Sequence, residues 1–178
     1  MIRIVFLGED SFSQIVLESL VDNGFDVCLV ASPLYENNIH LKLERYAVSK
    51  GIQYIRENDI NGEEFCDKLK SLEPDLIITA HFEKLLKKNI ISVPKLGCIN
   101  LHPSKLPYYR GMSPQHWPII NGEKYTAVTV HFIDEGIDTG DIIVQKDVQI
   151  TDEMYVMDLQ KEFRKIYKSI VVEAIKII

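Results

Sequence analysis

Cysteine is scarce in this 178-residue chain, with Cys28, Cys66 and Cys98 the whole supply. They are odd in number and far apart, with no pair at metal-ligand spacing, so no disulfide framework or cysteine-based metal site is expected. They read as reduced thiols of a cytoplasmic protein, Cys28 and Cys98 as small core residues. No run approaches the ~18 apolar residues of a transmembrane helix. Arg3 is followed by only four apolar residues before Gly8, too few for a secretory signal. No membrane partner is expected. Positive charge is also short: 20 basic residues face 26 acidic ones, for a net charge of −6. Nucleic-acid-binding domains usually carry a basic patch, so composition lends such a role no support. Gly8 stands alone, with no GxGxxG after the first apolar run, which argues against a dinucleotide fingerprint. The single tryptophan, Trp117, is expected to be a packing anchor. Repeats, low-complexity linkers and a second domain are lacking too. Residues 1–178 therefore read as one domain, a core over 1–150 and a helix over 151–178, long enough to bury about 70% of the unfolded surface.

What is present alternates strand with helix. The runs Ile2–Leu7, Val27–Ala31, Gln53–Ile55 and Leu76–Ala80 read as strands. Between them, Phe12, Ile15, Val16 and Leu20 recur at helical spacing behind a cap at Asp10 or Ser11, and Leu41–Ser49 and Gly62–Leu72 supply further helices. This rhythm predicts an α/β, Rossmann-like three-layer sandwich with a mostly parallel sheet, whose ligands sit at the carboxyl ends of the strands. Thr126–Ile133 and Ile142–Val148 add two strands near the carboxy end, read as an antiparallel addition, and Pro114–Ile120 a short helix. From Asp152, Val156, Leu159, Phe163, Ile166, Ile170 and Ala174 form a helical stripe that docks on the domain. It closes on Ile177 and Ile178, an apolar end that suggests a buried terminus, a subunit contact making a homodimer, or a shortened ancestor.

The stretch Gly97–Gly111, GCINLHPSKLPYYRG, concentrates the chemistry. Cys98, Ile99 and Leu101 read as a buried strand, and period-two alternation points Asn100 and His102 the same way as the strand leaves the sheet. Pro103 and Pro107 then end regular structure. An Asn and a His so spaced are more often a solvated or hydrogen-bonded pair than a catalytic one, so the spacing alone does not make this a reactive rim. In the loop DEGIDTGD, Asp134, Glu135, Asp138 and Asp141 crowd together, but without the ligand pattern of an EF-hand, and no metal site is expected.

The segment from Cys98 to Gln145 resembles the folate-dependent formyltransferases. Their pattern joins NxHxSxLPxYRGxxPxxW to HxxDxGxDxGxI, and the chain supplies Asn100, His102, Ser104, Leu106, Pro107, Tyr109, Arg110, Gly111, Pro114, Trp117, His131, Asp134, Gly136, Asp138, Gly140 and Ile142 in register. More loosely, FLGEDSFS looks like the opening of methionyl-tRNA formyltransferases. The resemblance implies transfer of a formyl group from 10-formyltetrahydrofolate to a primary amine, with Asn100, His102 and Asp138 catalytic. In that chemistry Asn100 and a protonated His102 donate to the oxyanion of a tetrahedral intermediate, while Asp138 accepts the amine proton and lifts the pKa of His102. It further implies folate contacts at Ala80, Phe82, Leu85, Ser104, Lys105, Leu106, Pro107, Ile137 and Asp141, and acceptor contacts at Gly8, Ser11, Phe12, Tyr108, Tyr109, Arg110 and Gly111. Lys105 departs from the usual SLLP turn; it is solvated, or meets an anionic ligand group.

Three acceptor classes follow from the resemblance. Glycinamide ribonucleotide is disfavoured because GEDSFS replaces a glycine-rich phosphate loop and Glu9 and Asp10 repel phosphate. Methionyl-tRNA is favoured by the amino-terminal likeness, but disfavoured by a nearly neutral ASPLYENNIHLKLERY after the second strand and by the expected lack of a carboxy-terminal β-barrel domain. A small amine such as a nucleotide-linked amino sugar is the leading expectation. A non-catalytic folate- or partner-binding module, and a folate hydrolase, stand as alternatives.

Overall fold

The computed structural model describes residues 2–178. Seven strands form one sheet in the order β3-β2-β1-β4-β5-β6-β7. These are β1 (Arg3–Gly8), β2 (Asp26–Pro33), β3 (Gln53–Glu57), β4 (Leu76–Ala80), β5 (Cys98–His102), β6 (Tyr125–Phe132) and β7 (Ile142–Gln149). The first five are parallel; β6 pairs antiparallel with β5, and β7 antiparallel with β6. The helices are α1 (Ser11–Asp22), α2 (Leu41–Ser49), α3 (Glu63–Leu72), α4 (Lys88–Ile91), α5 (Trp117–Ile120) and α6 (Val156–Ile177). The predicted three-layer arrangement is therefore the observed one.

Strand alternation sorts the core into two faces. Ile4, Phe6, Ile78, Ala80, Ile99 and Leu101 pack with residues of α1, α2 and α6, including Leu17, Leu43, Phe163 and Tyr167. Val5, Leu7, Ile77 and Cys98 turn the other way, against Phe65 and Leu69 of α3 and Ile90 of α4. On this second face the row Leu7, Thr79, Asn100, His131 runs straight across four neighbouring strands. Helix α1 starts where the strand stops because Asp10 Oδ1 accepts the N–H groups of Phe12 and Ser13 at 2.9 Å each, while Ser13 Oγ accepts the Asp10 N–H.

Several expectations need correction. Trp117 is 49% exposed; α5 is a single turn starting at Trp117, and Pro114 and Pro118 are its buried neighbours. Helix α6 begins at Val156, with Asp158 Oδ2 accepting the Tyr155 N–H at its start. Its apolar end is not buried, since Ile177 is 59% and Ile178 39% exposed. A 22-residue helix spans ~33 Å and outruns the eight-residue strands beneath it. Cys28 is half-buried, whereas Cys66 joins Cys98 in the core. Helix α4, one turn long, carries no periodic signal in the sequence.

Candidate active site

Asn100 and His102 share the second face at the end of β5 and line one cleft of about 500 Å³. The acidic loop between β6 and β7 folds back over that face and brings Asp138 to them. Its path depends on Gly140, where a Cβ would lie 1.9 Å from the Phe132 carbonyl oxygen, and on the Phe132 N–H donating to the Asp141 carbonyl at 2.9 Å. Asp134 holds the loop from within, accepting the Gly136 N–H and the Thr139 hydroxyl.

Asp138 is the hub. Its Oδ2 accepts the Gly111 N–H at 2.9 Å and lies 3.5 Å from His102 Nδ1. Its Oδ1 accepts from Asn100 Nδ2 at 3.3 Å and lies 3.4 Å from His131 Nε2. Burial works against its charge, but His131, His102 and the Gly111 N–H outweigh that, and the carboxyl sits below its ordinary range. Asn100 is oriented from behind. Thr79 Oγ1 donates to its Oδ1 at 2.7 Å, which leaves the Nδ2 hydrogens for Asp138 and for His131 Nε2 at 3.2 Å. His131 Nδ1 in turn donates to the Phe132 carbonyl at 2.7 Å, which fixes the ring with its Nε2 toward Asn100 and Asp138.

His102 departs from expectation. Asp138 does raise its pKa, but the side chain is buried and desolvation dominates, so the net shift is downward. The resting pair is thus an ionised Asp138 beside a neutral imidazole. Nε2 spends its proton on the Tyr109 carbonyl at 2.9 Å, and the bare Nδ1 faces Asp138 across a gap that a proton closes. The ring becomes a donor toward Asp138 only when it gains that proton, which makes the pair a proton acceptor in the resting state.

The cleft also collects Phe82, Leu85, Ile137 and Gly111 among the predicted ligand contacts. Other predicted contacts lie elsewhere. Ala80 is fully buried, with its carbonyl accepting from Ser13 Oγ. Gly8 is buried against Ser13, and a Cβ there would come within 2.6 Å of it. Ser11 opens α1, and Phe12 stacks on His81 with Arg164 over its ring at 4.5 Å. Ser104 is buried and donates to the Tyr108 and Tyr109 carbonyls. Leu106 is buried; Pro107, Arg110 and Asp141 are exposed and outside the cleft. Lys105, Tyr108 and Tyr109 line a second hollow of about 410 Å³, at whose edge the half-exposed Lys105 pairs its Nζ with Asp147 at 2.8 Å.

Four residues had no role in the predicted site, although His131 belongs to the matched motif, His81 falls at a strand end and Glu9 was expected only to repel phosphate. Thr79 and His131 orient Asn100, and only the strand register reveals them. Glu9 is 4% exposed, and its Oε1 accepts the Glu83 N–H at 2.6 Å. Burial, reinforced by Glu83 and Asp10 and opposed by that N–H and by Lys84, pushes its carboxyl up to about 7. His81 follows β4 with a left-handed backbone, φ +48°, and its ring lies between Asp10 Oδ2 at 3.4 Å and the buried Tyr167 hydroxyl at 2.9 Å. The capping Asp10 stays ionised below its ordinary range, because burial is outweighed by His81 and the helix N–H groups.

A mostly parallel sheet closed by two antiparallel pairings, with an Asn–His–Asp cluster on one face, defines a formyltransferase-type domain. The chain belongs to the formyl transferase family, whose profile, described as "Formyl transferase", matches residues 2–175. It is 39% identical to the methionyl-tRNA formyltransferase of Ruminiclostridium cellulolyticum over 166 residues, 90% of this chain and 53% of that protein. It is 36% identical to that of Thermodesulfovibrio yellowstonii over 178 residues, 97% of this chain and 58% of that protein. The chain thus spans little more than half the length of these relatives. Among solved structures, glycinamide ribonucleotide transformylase 1 from Symbiobacterium toebii superposes with a TM-score of 0.85 at 26% identity, over 98% of this chain and 86% of that one. The sugar 3N-formyl transferase WlaRD, solved in the presence of dTDP and 5-N-formyl-THF, gives 0.77 at 25% identity, over 99% and 62%. Among the described residues no helix is long and apolar enough to cross a membrane.

Proposed function

We propose that this chain transfers a formyl group from 10-formyltetrahydrofolate to a primary amine. The observation that carries the reading is the convergence of Asn100, His102 and Asp138 on one cleft, in a chain of the formyl transferase family. Attack by a neutral amine on the formyl carbon makes an oxyanion and a cationic nitrogen. The Asn100 amide stabilises the oxyanion, a contribution of about 3–4 kcal/mol for a well-placed donor. The neutral His102, backed by Asp138, takes the proton released from nitrogen and, once charged, stabilises the intermediate. The folate ring lies along Phe82, Leu85 and Ile137, which belong to the apolar lining of the cleft.

For the acceptor, methionyl-tRNA is the reading that the relatives support, since the matched curated proteins named above carry that activity. This reorders the sequence expectation, which placed a nucleotide-linked amino sugar first; that second reading rests on the likeness to WlaRD. The test is to incubate the protein with 10-formyltetrahydrofolate and, separately, methionyl-tRNA and amino-sugar nucleotides, following tetrahydrofolate release and acceptor mass. The expected result is a formylated acceptor in one arm. No formylated acceptor in either, together with no folate binding by calorimetry, overturns the reading.

A further inference from the structure

Residues 81–87, between β4 and α4, form an irregular loop. Two of the side chains given to the folate ring, Phe82 and Leu85, sit on it and line the cleft. Among the described residues no backbone–backbone hydrogen bond involves residues 82–86, so the loop takes its shape from the side chains that hold it. Asn61 holds the far half: its Oδ1 accepts the Lys87 N–H at 2.7 Å and its Nδ2 donates to the Leu85 carbonyl at 2.9 Å. The near half is held from the start of α1. Asp10 Oδ2 lies 3.4 Å from His81 Nδ1, and Glu9 Oε1 accepts the Glu83 N–H at 2.6 Å. These two contacts bracket Phe82, and the second grips the backbone itself.

Glu9 is firmly mounted for this. Its N–H donates to Ser13 Oγ at 3.0 Å, and Ser13 Oγ donates to the Ala80 carbonyl at 2.7 Å, so the carboxyl hangs from a point tied to the last residue of β4. The side chain is 4% exposed, and burial pushes its carboxyl up to about 7. Near neutral pH a large share of it is therefore uncharged, and a carboxyl oxygen accepts an N–H in either form. What this position supplies is an acceptor, not a charge. We propose that Glu9 is a positioning residue of the folate side: through the Glu83 N–H it fixes the near half of the loop and presents Phe82 to the folate ring, as Asn61 holds Leu85 from the other end. This role rests on the formyl-transfer reading and deepens it, because it names what supports the folate's contact surface.

Two substitutions separate the oxygen from the charge. Glu9→Gln keeps an oxygen for the Glu83 N–H, and Glu9→Met keeps the reach without it. Calorimetry with 5-formyltetrahydrofolate reads the loop: Glu9→Met should weaken binding about fivefold or more, the scale of one lost hydrogen bond, while Glu9→Gln stays within about twofold of wild type. In the transfer assay the same loss should appear in the KM for 10-formyltetrahydrofolate, with kcat changed by less than about threefold. Wild type supplies a test that needs no variant. Its Glu83 amide should exchange with solvent at least about tenfold more slowly, after correction for sequence, than the amides of Lys84 and Leu85, which find no acceptor among the described residues. Unchanged folate affinity in Glu9→Met, a Glu9→Gln as weak as Glu9→Met, or equal exchange at Glu83 and its neighbours each overturns the proposal. Any of those results beside folate binding by wild type leaves the formyl-transfer reading intact; no folate binding by wild type overturns that reading and the role of Glu9 with it.

Discussion

Replacing Asp138 with asparagine tests the hub without changing its shape. The side chain is 15% exposed, so solvent screens its charge poorly, and it meets His102, His131, Asn100 and the Gly111 N–H at once. An asparagine oxygen can keep the Gly111 bond, but its NH2 then faces the Asn100 amide, donor against donor, and takes His131 Nε2 from it. Asn100 loses both anchors for its hydrogens. The expected loss in kcat is about 10²–10³, the scale for a misplaced oxyanion donor plus a missing proton acceptor. The pH dependence of stability gives a second readout with a definite sign. His102 is depressed by burial, so its contribution is fully present above the ordinary histidine value near 6.5 and is lost as pH falls toward its folded value. Asp138 is depressed too; its contribution is present above the ordinary aspartate value of about 3.9 and is lost as pH falls through its folded value. Asp138→Asn deletes the second contribution and depresses His102 further, because the one nearby anion that raised it is gone. Below pH 6.5 the variant should lose stability with acid more steeply and over a wider window than wild type, at most about 1.4 kcal/mol per pH unit. That corresponds to roughly 3–5 °C in Tm per pH unit for a domain of this size. Thermal melts from pH 7 to pH 4.5 measure it. Parallel melting curves for the two proteins, or wild-type kcat in the variant, would refute the arrangement described.

Other substitutions probe single supports. Gly140→Ala drives a methyl into the Phe132 carbonyl and should cost about 1–3 kcal/mol while lowering kcat, since the displaced loop carries Asp138; melts and turnover report both. Thr79→Val keeps shape but frees the Asn100 amide to flip, and the loss of about 1 kcal/mol of orientation should appear in kcat with the folate KM unchanged. Tyr167→Phe removes the hydroxyl on His81 Nε2, and a lowered urea midpoint equivalent to about 1–2 kcal/mol is expected.

Much of the architecture was legible because it rests on periodicity. Leu76–Ala80 and Leu41–Ser49 fall where the sequence reading puts them, since an apolar run and a three-four stripe each answer to one local rule. Asn100 and His102 could be paired by alternation alone. Asp138 needed the family resemblance, as nothing local says that a loop thirty-six residues beyond His102 folds back over β5. Thr79 and His131 lay further out of reach, because their role comes from register across β4, β5 and β6. The His102 shift was misjudged for a related reason. A neighbouring carboxylate can be inferred from the motif, but the depth of burial that overrides it comes from the packed fold.

One consequence follows from the turn after β4. The strands form a wall between the α1–α6 layer and the cleft, and side chains on one side do not reach the other. His81 crosses where that wall ends: its left-handed backbone swings the ring over the strand tip, onto Phe12 and the hydroxyl of Tyr167. A cleft-lining residue is thereby bolted to the middle of α6. Strain applied to that helix has a short mechanical linkage to the cleft, and damage on the far side of the sheet should register there first.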